Sequence, residues 1–353
     1  MNYSVNVEKH RIVYIDLLRG YAILLVIIQH CWKINEDVGK LILSFHMPLF
    51  FFISGFLLRY KEAYNKDGIS FIVDLFKKLI VPYFTFEMIN LAISLVIRPY
   101  YKNALSETFA LQSIFLCINN EGYEGLMNNR LWFFEALFVA ECLLYFICRF
   151  LKFYKKDKKY YYILVSMVCF AGSFGMQVIL DKRLPFTIDI AVMALAYMCL
   201  GYATVELIEN YRASSKKLYA VVLFFSFLVL LLCTIPNEPV LMYLNQYGNY
   251  LLFIMGSFAG IAFSVTFVFM MITLKKNYHI VMWLSRNSLL IYPIHLFILS
   301  TVCIWYNKRK PYYNGVTATV LYLICCLVGS YMIVEFIHKV KKAAEHIKMQ
   351  RVV

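Results

Sequence analysis

The sequence contains little charge, and its apolar residues occur in long runs. Only 16% of the 353 residues are Asp, Glu, Lys or Arg, whereas 61% are hydrophobic. A water-soluble domain carries about 25% charged residues, which excludes that class of protein here. The apolar blocks are about 20 residues long, the length that crosses a bilayer. The sequence therefore predicts an all-α integral membrane protein.

Other absences narrow the function. None of the ten cysteines belongs to a CxxC or Cys/His pattern, so we expect no metal site and interpret the cysteines as small core residues. The basic residues cluster at the ends of apolar blocks rather than along one stripe, which argues against nucleic-acid binding despite a net charge of +14. The first apolar block contains Arg19, so we interpret it as a retained span rather than a cleaved signal peptide.

About ten blocks are predicted to span the membrane. Length and flanking charge place them at 12–33, 41–59, 79–98, 131–150, 160–180, 187–208, 218–235, 248–273, 280–301 and 316–338. With the N-terminus inside, most of the 35 Lys and Arg residues fall on the cytoplasmic side, although the basic segment 307–310 falls outside. This asymmetry predicts that both termini are cytoplasmic. We expect one membrane domain over 1–353, with its helices around a polar central cavity.

The longest predicted outer loop covers 99–130. It contains NNEGYEGLMNN, and its amides and aromatic rings suit hydrogen bonding and stacking on a sugar. A plain solvated loop explains the same composition at least as well. The loop is therefore a candidate acceptor site and no more.

The first predicted span, with the sequence IDLLRGYAILLVIIQH, contains three ionisable residues. Arg19 and His30 are eleven positions apart, which in a helix leaves them about 20° apart around the axis and separated by about 16 Å of rise. Asp16 lies within about 40° of the same line. Ionisable groups inside a span cost about 2.5–3.5 kcal/mol and usually mark function. An anchoring i,i+3 pair explains Asp16 and Arg19 equally well, but it leaves His30 unexplained.

Four cations are predicted near the cytoplasmic opening: Arg19, Arg59, Lys77 and Lys78. Together they would suit a ligand that carries phosphates. The excess of basic residues on the cytoplasmic side alone accounts for the two lysines. Arg59 lies at the cytoplasmic end of its span, where a side chain that extends to the membrane interface is explanation enough.

Further polar or aromatic residues are candidates to line the cavity. His46 precedes Pro48, a proline that can open a helix inside the membrane. Tyr292 and His295 share a helix face with Ser288 at a spacing of three to four residues, which adds a second histidine-bearing face. The predicted cavity or substrate residues are Asp16, His46, Ser54, Glu87, Trp132, Glu135, Ser288, Tyr292 and His295, and we add the intramembrane acids Asp189 and Glu335.

Four motifs follow one another along the chain: DLLRGYAILLVIIQH, FHMPLFFFISGF, LWFFEALF and RNSLLIYPIH. Together they resemble the acyltransferase-3 family of multispanning O-acyltransferases, whose Arg followed by His after ten intervening residues is matched by Arg19 and His30. The second motif is similar to the branch that includes fucose 4-O-acetylase-like enzymes and capsular polysaccharide O-acetyltransferases. The motifs extend from the first to the ninth predicted span, so the resemblance covers most of the chain.

The resemblance implies a bacterial cell-membrane enzyme that moves an acyl group from cytoplasmic acyl-CoA, such as acetyl-CoA, to a carbohydrate hydroxyl. The acceptor would be a polysaccharide or its lipid-linked precursor. By carry-over, His30 is the catalytic imidazole and Arg19 an active-site or acyl-donor cation. Where many relatives have an Arg-x-x-Arg motif, this chain has Lys77 and Lys78, which lack the two-pronged grip of arginine on phosphate. Acyl-CoA is a substrate here, so no bound cofactor is expected.

Two other functions fit part of the sequence. A transporter or flippase of a lipid-linked sugar would also use intramembrane ionisable residues and a proline-broken helix, but it often has repeated halves, and we find none. A non-catalytic sensor or scaffold fits less well, because Arg19 and His30 are both present. The sequence leaves open the acyl chain, the acceptor hydroxyl and the membrane face of transfer. It also leaves open whether His30 is a base or an acyl carrier, and whether the protein forms a homo-oligomer in contact with the membrane lipids.

Overall fold

The computed structural model describes residues 12–31, 35–97, 131–180, 184–274, 278–309 and 315–350. Within these ranges all regular elements are helical, and no β-strand is present. The predicted all-α class is confirmed for the described part of the chain. The candidate acceptor loop at 99–130 lies outside it.

Twelve α-helices follow one another in the described residues. They are α1 (Val13–Cys31), α2 (Glu36–Tyr60), α3 (Gly68–Leu75), α4 (Val81–Ile97), α5 (Trp132–Phe153), α6 (Lys159–Ile179), α7 (Ile188–Ala203), α8 (Val205–Tyr211), α9 (Lys216–Thr234), α10 (Tyr250–Thr273), α11 (His279–Arg309) and α12 (Gly315–Gln350). A π-helical turn (Phe76–Ile80) joins α3 to α4, and short 3-10 turns occur at Ala63–Asn65, Pro185–Thr187 and Met242–Leu244.

Seven helical segments in the described residues are long and apolar enough to cross a membrane, by length and composition. They are Val13–Cys31, Glu36–Tyr60, Lys159–Ile179, Pro185–Ala203, Lys216–Thr234, Tyr250–Thr273 and Gly315–Ala344. The other three predicted spans coincide with α4, α5 and α11, which are helical but shorter or more polar. The chain is a multi-pass membrane protein, while the count of ten spans and the orientation of the termini stay predictions.

The chain forms two compact units. The first contains the segments up to Gly39 and from Asn277 onward, and the second covers Lys40–Lys276. In the first unit α11 packs against both α1 and α12. Gly20 permits the close approach of α1 to α11, because any Cβ at this position would collide with the backbone carbonyl of Val281.

In the second unit, small residues bring α2 and α7 together. A Cβ on Gly55 would collide with the carbonyl of Met198, and a Cβ on Gly201 would collide with the carbonyl of Phe52. The two backbones therefore touch where these glycines alternate across the interface. The expectation that Pro48 can open the helix is not met, because α2 runs unbroken from Glu36 to Tyr60. A continuous helix keeps the side chains on both sides of Pro48 in one register.

The turn between α9 and α10 is built by one asparagine. The Asn237 side-chain amide donates to the carbonyl of Tyr247 at 3.1 Å, and its oxygen accepts from the Asn249 N–H at 2.7 Å. Gly248, at φ +62°, lies against this side chain in a conformation that L residues rarely adopt. Asn249 then caps α10 by accepting from the Leu252 N–H at 3.1 Å. Local side-chain chemistry therefore fixes where α10 begins.

Candidate functional site

The three ionisable residues of the first predicted span all lie on α1. Because Val13–Cys31 is one uninterrupted helix, the helical geometry expected for Asp16, Arg19 and His30 holds. Each of the three is partly exposed, whereas Leu18 and Ile27 on the same helix are buried. Ile27 is eleven positions after Asp16 and therefore lies about 20° from it around the axis, so this face of α1 is closely packed between its polar residues.

His30 meets a second imidazole from the other end of the chain. Its ring centroid lies 5.4 Å from that of His295 on α11, with 44° between the ring planes. His295 is fully buried, with an exposed fraction of 0%. Its Nδ1 lies 3.0 Å from the carbonyl oxygen of Ile291 in the same helix. We call His30 and His295 the histidine pair.

The predicted polar face of α11 is present. Ser288 and Tyr292 are buried with His295, and the Tyr292 ring centroid lies 6.2 Å from that of His295. Elsewhere on α11, the indole N–H of Trp283 donates to the carboxylate of Glu335 on α12 at 2.9 Å. Glu335 therefore links two helices of the first unit. This hydrogen bond gives a structural explanation for an acidic residue inside a predicted span.

The second unit buries several of the predicted polar residues. Glu87 on α4, Glu135 on α5 and Asp189 on α7 are all buried, with 4% or less of each exposed. Buried carboxylates are costly in a membrane and are normally kept for a structural or chemical use. His46 is also buried, and its Nδ1 lies 2.7 Å from the carbonyl of Ile42.

The two remaining predicted cavity residues of this unit differ in their surroundings. Trp132 is buried at the start of α5 and contacts the Phe51 ring, with 6.4 Å between centroids. Ser54 is partly exposed on α2, next to the close contact made by Gly55. Trp132 thus serves as packing between α2 and α5, whereas Ser54 retains an accessible hydroxyl.

Lys77 and Lys78 lie on the π-helical turn between α3 and α4. Both side chains are exposed, and the Lys78 ammonium is 3.9 Å from the carboxylate of Glu141 on α5. A single π-helical turn inserted into a helical run often occurs at a functional site. It turns two consecutive ammonium groups outward just before Pro82 begins to restrict the backbone.

Arg59, by contrast, is surrounded by partners. Its guanidinium lies 3.4 Å from the Glu206 carboxylate and 4.0 Å from that of Asp157, and it stacks over the Tyr202 ring at 5.0 Å from the centroid. Tyr162 donates to Asp157 at 2.7 Å, and its ring packs on Tyr202 with 4.1 Å between centroids. We call Arg59, Asp157, Tyr162, Tyr202 and Glu206 the Arg59 clasp.

Sequence reasoning did not find the other members of the clasp. Arg59 and Glu206 are 147 residues apart, so no local spacing links them. A second cation–aromatic contact adjoins the clasp, since the Lys152 ammonium lies 5.0 Å from the centroid of the Tyr64 ring. Burial raises the pKa of Tyr64, so its phenol loses its proton less readily than that of an exposed tyrosine.

In the described part of the chain, no three His, Cys, Asp or Glu side chains are grouped so that they could hold a metal ion. The polar groups described above are imidazole, guanidinium and ammonium groups. Guanidinium and ammonium groups bind anions, and an imidazole can exchange a proton near neutral pH.

Comparison with known proteins gives one match. Residues 12–335, nearly the whole chain, match the model of the acyltransferase-3 family, which is described as an acyltransferase domain. No curated protein and no solved structure matches the chain. The matched region contains every residue of the histidine pair, the lysine pair and the Arg59 clasp.

Proposed function

The chain belongs to the acyltransferase-3 family and is a membrane acyltransferase, and from this premise we propose its reaction. It transfers an acetyl or another short acyl group from acyl-CoA to a hydroxyl of a cell-surface polysaccharide or of its lipid-linked precursor. The motif FHMPLFFFISGF supports the branch of fucose 4-O-acetylase-like and capsular polysaccharide O-acetyltransferases. A bacterial cell membrane is the corresponding location.

The observation that carries the proposal is the placement of His30. An imidazole with an ordinary pKa of about 6.5 is suited to take and return a proton at neutral pH. His30 is partly exposed near one end of α1, and Arg19 lies eleven residues before it on the same unbroken helix. A base and a cation on one rigid helix are the elements that acyl transfer needs.

In the proposed step, His30 accepts the proton of the acceptor hydroxyl while that oxygen attacks the thioester carbonyl carbon. The new C–O bond forms, and the C–S bond breaks with its electron pair going to sulfur. The proton then passes from His30 to the thiolate, so that the products are an O-acyl ester and CoA as a free thiol. The imidazole returns to its starting state.

The cations bind the acyl-CoA donor and do not take part in making or breaking bonds. Arg19 lies about 16 Å along α1 from His30, a distance that suits the extended pantetheine arm of CoA between its phosphates and its thioester. Lys77 and Lys78 present exposed ammonium groups, which bind phosphates as point charges. Arg59 was predicted to take part as well, but its contacts with two acids and Tyr202 support a different role for it.

The test uses the full-length protein in lipid nanodiscs with radiolabelled acetyl-CoA and candidate acceptor glycans. We expect transfer by the wild-type protein and a loss of about 10²–10⁴-fold in kcat for His30→Ala, the range ascribed to a general base. Arg19→Ala should raise KM for acetyl-CoA. His279→Ala is the matched control, since His279 is exposed at the start of α11 and should leave transfer unchanged.

Two outcomes would contradict the proposal. Full activity of the His30→Ala protein would remove His30 from the reaction. Glycan movement across the bilayer without consumption of acetyl-CoA would instead favour the transporter function.

A further inference from the structure

The segment that carries Lys77 and Lys78 lies along one face of α5. This face consists of residues spaced three, four and seven positions apart: Phe138, Glu141, Tyr145 and Lys152. The buried Tyr145 donates its hydroxyl hydrogen to the carbonyl of Lys66 at 2.8 Å, and its ring stacks on that of Phe71 with 4.3 Å between centroids. The ring of Phe76, the first residue of the π-helical turn, meets that of Phe138 with 6.2 Å between centroids. Both α3 and the start of the π-helical turn are therefore fixed on α5.

Glu141 gives the two lysines different electrostatic surroundings. It lies between Phe138 and Tyr145 on the same face of α5, and its side chain is only 12% exposed. Its carboxylate is 3.9 Å from the ammonium of Lys78. Because little water surrounds this carboxylate, its field on the ammonium is weakly screened. Lys77 is exposed, and within the described residues no carboxylate forms an ion pair with it.

This ion pair weakens the attraction of Lys78 for a phosphate. A phosphate that approaches the ammonium also approaches the carboxylate 3.9 Å away, so repulsion offsets part of the attraction. At the same time, 3.9 Å is too long for a hydrogen bond, so the carboxylate restrains the lysine without a directed contact. Lys78 can therefore reorient once the charge of Glu141 is removed.

We propose that Glu141 is a positioning residue that restrains Lys78, so that Lys77 provides most of the affinity for the donor phosphates. This inference rests on the proposed function, in which the two lysines bind acyl-CoA. Glu141 acts through Lys78: its charge sets how many ammonium groups are available to an organic phosphate. Neutralising Glu141 makes Lys78 available as a second phosphate-binding cation.

The kinetic test measures KM for acetyl-CoA with nanodisc-embedded variants. K77M should raise KM by about five- to tenfold, because the remaining lysine is the restrained one. E141Q nearly conserves the size of the side chain, and it should lower KM by about two- to threefold with kcat unchanged. In the double variant K77M/E141Q, KM should return to within about twofold of wild type, since Lys78 then replaces Lys77.

Two further variants identify the group that causes this recovery. The triple variant K77M/K78M/E141Q should keep the raised KM, because it has lost both lysines. E209Q in the K77M background removes the carboxylate of another ion pair, 3.5 Å from Arg212, and should restore nothing. A purely structural role for Glu141 predicts that E141Q makes K77M worse. A KM for K77M/E141Q no lower than that of K77M, recovery in the triple variant, or equal recovery with E209Q would each overturn the proposal.

A binding measurement tests the same assignment without catalysis. Isothermal titration of the nanodisc-embedded proteins with adenosine 3′,5′-bisphosphate, a phosphate-bearing part of CoA, should give the weakest binding with K77M and the tightest with E141Q. K77M/E141Q should bind it like wild type, and adenosine itself should not distinguish the variants. If the wild-type protein transfers no acyl group but the variants bind in this order, the proposed reaction fails and the role of Glu141 stands. If transfer occurs but this order is absent, only the role of Glu141 is overturned.

Discussion

The histidine pair of the first unit and the Arg59 clasp of the second differ in how their polar groups are satisfied. In the clasp, a guanidinium contacts two carboxylates and the face of an aromatic ring, so its positive charge is balanced by nearby groups. In the pair, two imidazoles contact each other, and neither ring needs a fixed charge to make that contact. The clasp consists of opposite charges. The histidine pair, by contrast, consists of groups that can exchange protons.

This difference separates a structural use of polar residues from a chemical one. An ion pair with stacked aromatic rings holds chain segments together and gains nothing from changing its protonation. An imidazole whose partner is a second imidazole keeps one nitrogen available for proton transfer. Both regions look alike in the sequence, as ionisable residues within or beside apolar blocks. Their contacts support the different roles that we propose for them.

The largest effect is expected from breaking the helix contact that supports the pair. Gly20→Ala places a methyl group on the Val281 carbonyl, and α1 and α11 must then move apart. The ring contact between His30 and His295 would be lost and His30 would be displaced, so we expect kcat to fall by about 100-fold, in line with losing an oriented base. Acetyl transfer by the nanodisc-embedded variant measures this, with size-exclusion chromatography to check its folding.

Gly39→Ala is the matched control, because a Cβ there meets no atom within 4 Å. It should leave both kcat and the elution profile unchanged. If Gly20→Ala retained wild-type activity, the close approach of α1 and α11 would not matter for the reaction.

A smaller effect is expected at Lys77 and Lys78, the lysine pair, which tests whether these exposed cations rather than the clasp bind the donor. Replacing Lys77 and Lys78 together by Met should raise KM for acetyl-CoA about tenfold, which corresponds to about 1.4 kcal/mol of lost phosphate attraction. Acetyl-pantetheine, a donor without the nucleotide phosphates, should show the same KM with both proteins.

The matched control for the lysine pair removes the same charge elsewhere. Lys216 and Lys217 are consecutive and exposed at the start of α9, and their double replacement by Met should leave KM unchanged. An equal rise in KM for both double variants would show that the effect comes from the loss of surface charge in general and not from these two lysines. A rise in KM for acetyl-pantetheine would show that the lysines do not act through phosphate.

Much of the fold follows from the sequence. Apolar blocks of membrane length predicted the helices, and the spacing of Arg19 and His30 was correct because α1 is unbroken. The expectation at Pro48 was not met, because α2 continues through this proline, which a membrane helix tolerates when neighbouring helices pack against it. Gly55 and Gly201, on either side of the α2–α7 contact, provide such packing.

The contacts of the site were harder to predict than its residues. His295 was recognised as a polar residue on a helix face, but its distance from His30 depends on how α1 and α11 pack. The partners of Arg59 come from segments that are far apart in the chain, and a single sequence gives no signal for such pairs. Interpreted from position alone, Arg59 belonged with Lys77 and Lys78, whereas its contacts separate it from them.

The smallest effect on transfer is expected at Arg59, where the change should appear in stability. Arg59→Met removes the stacking on Tyr202 and the ion pairs with Asp157 and Glu206, which together contribute about 1–2 kcal/mol at this partly exposed site. We expect a lower unfolding temperature, with KM for acetyl-CoA within about twofold of wild type. Arg149→Met is the control, because Arg149 is exposed on α5 of the same unit. A tenfold rise in KM at an unchanged unfolding temperature would instead place Arg59 with the donor-binding cations and end the distinction between the two regions.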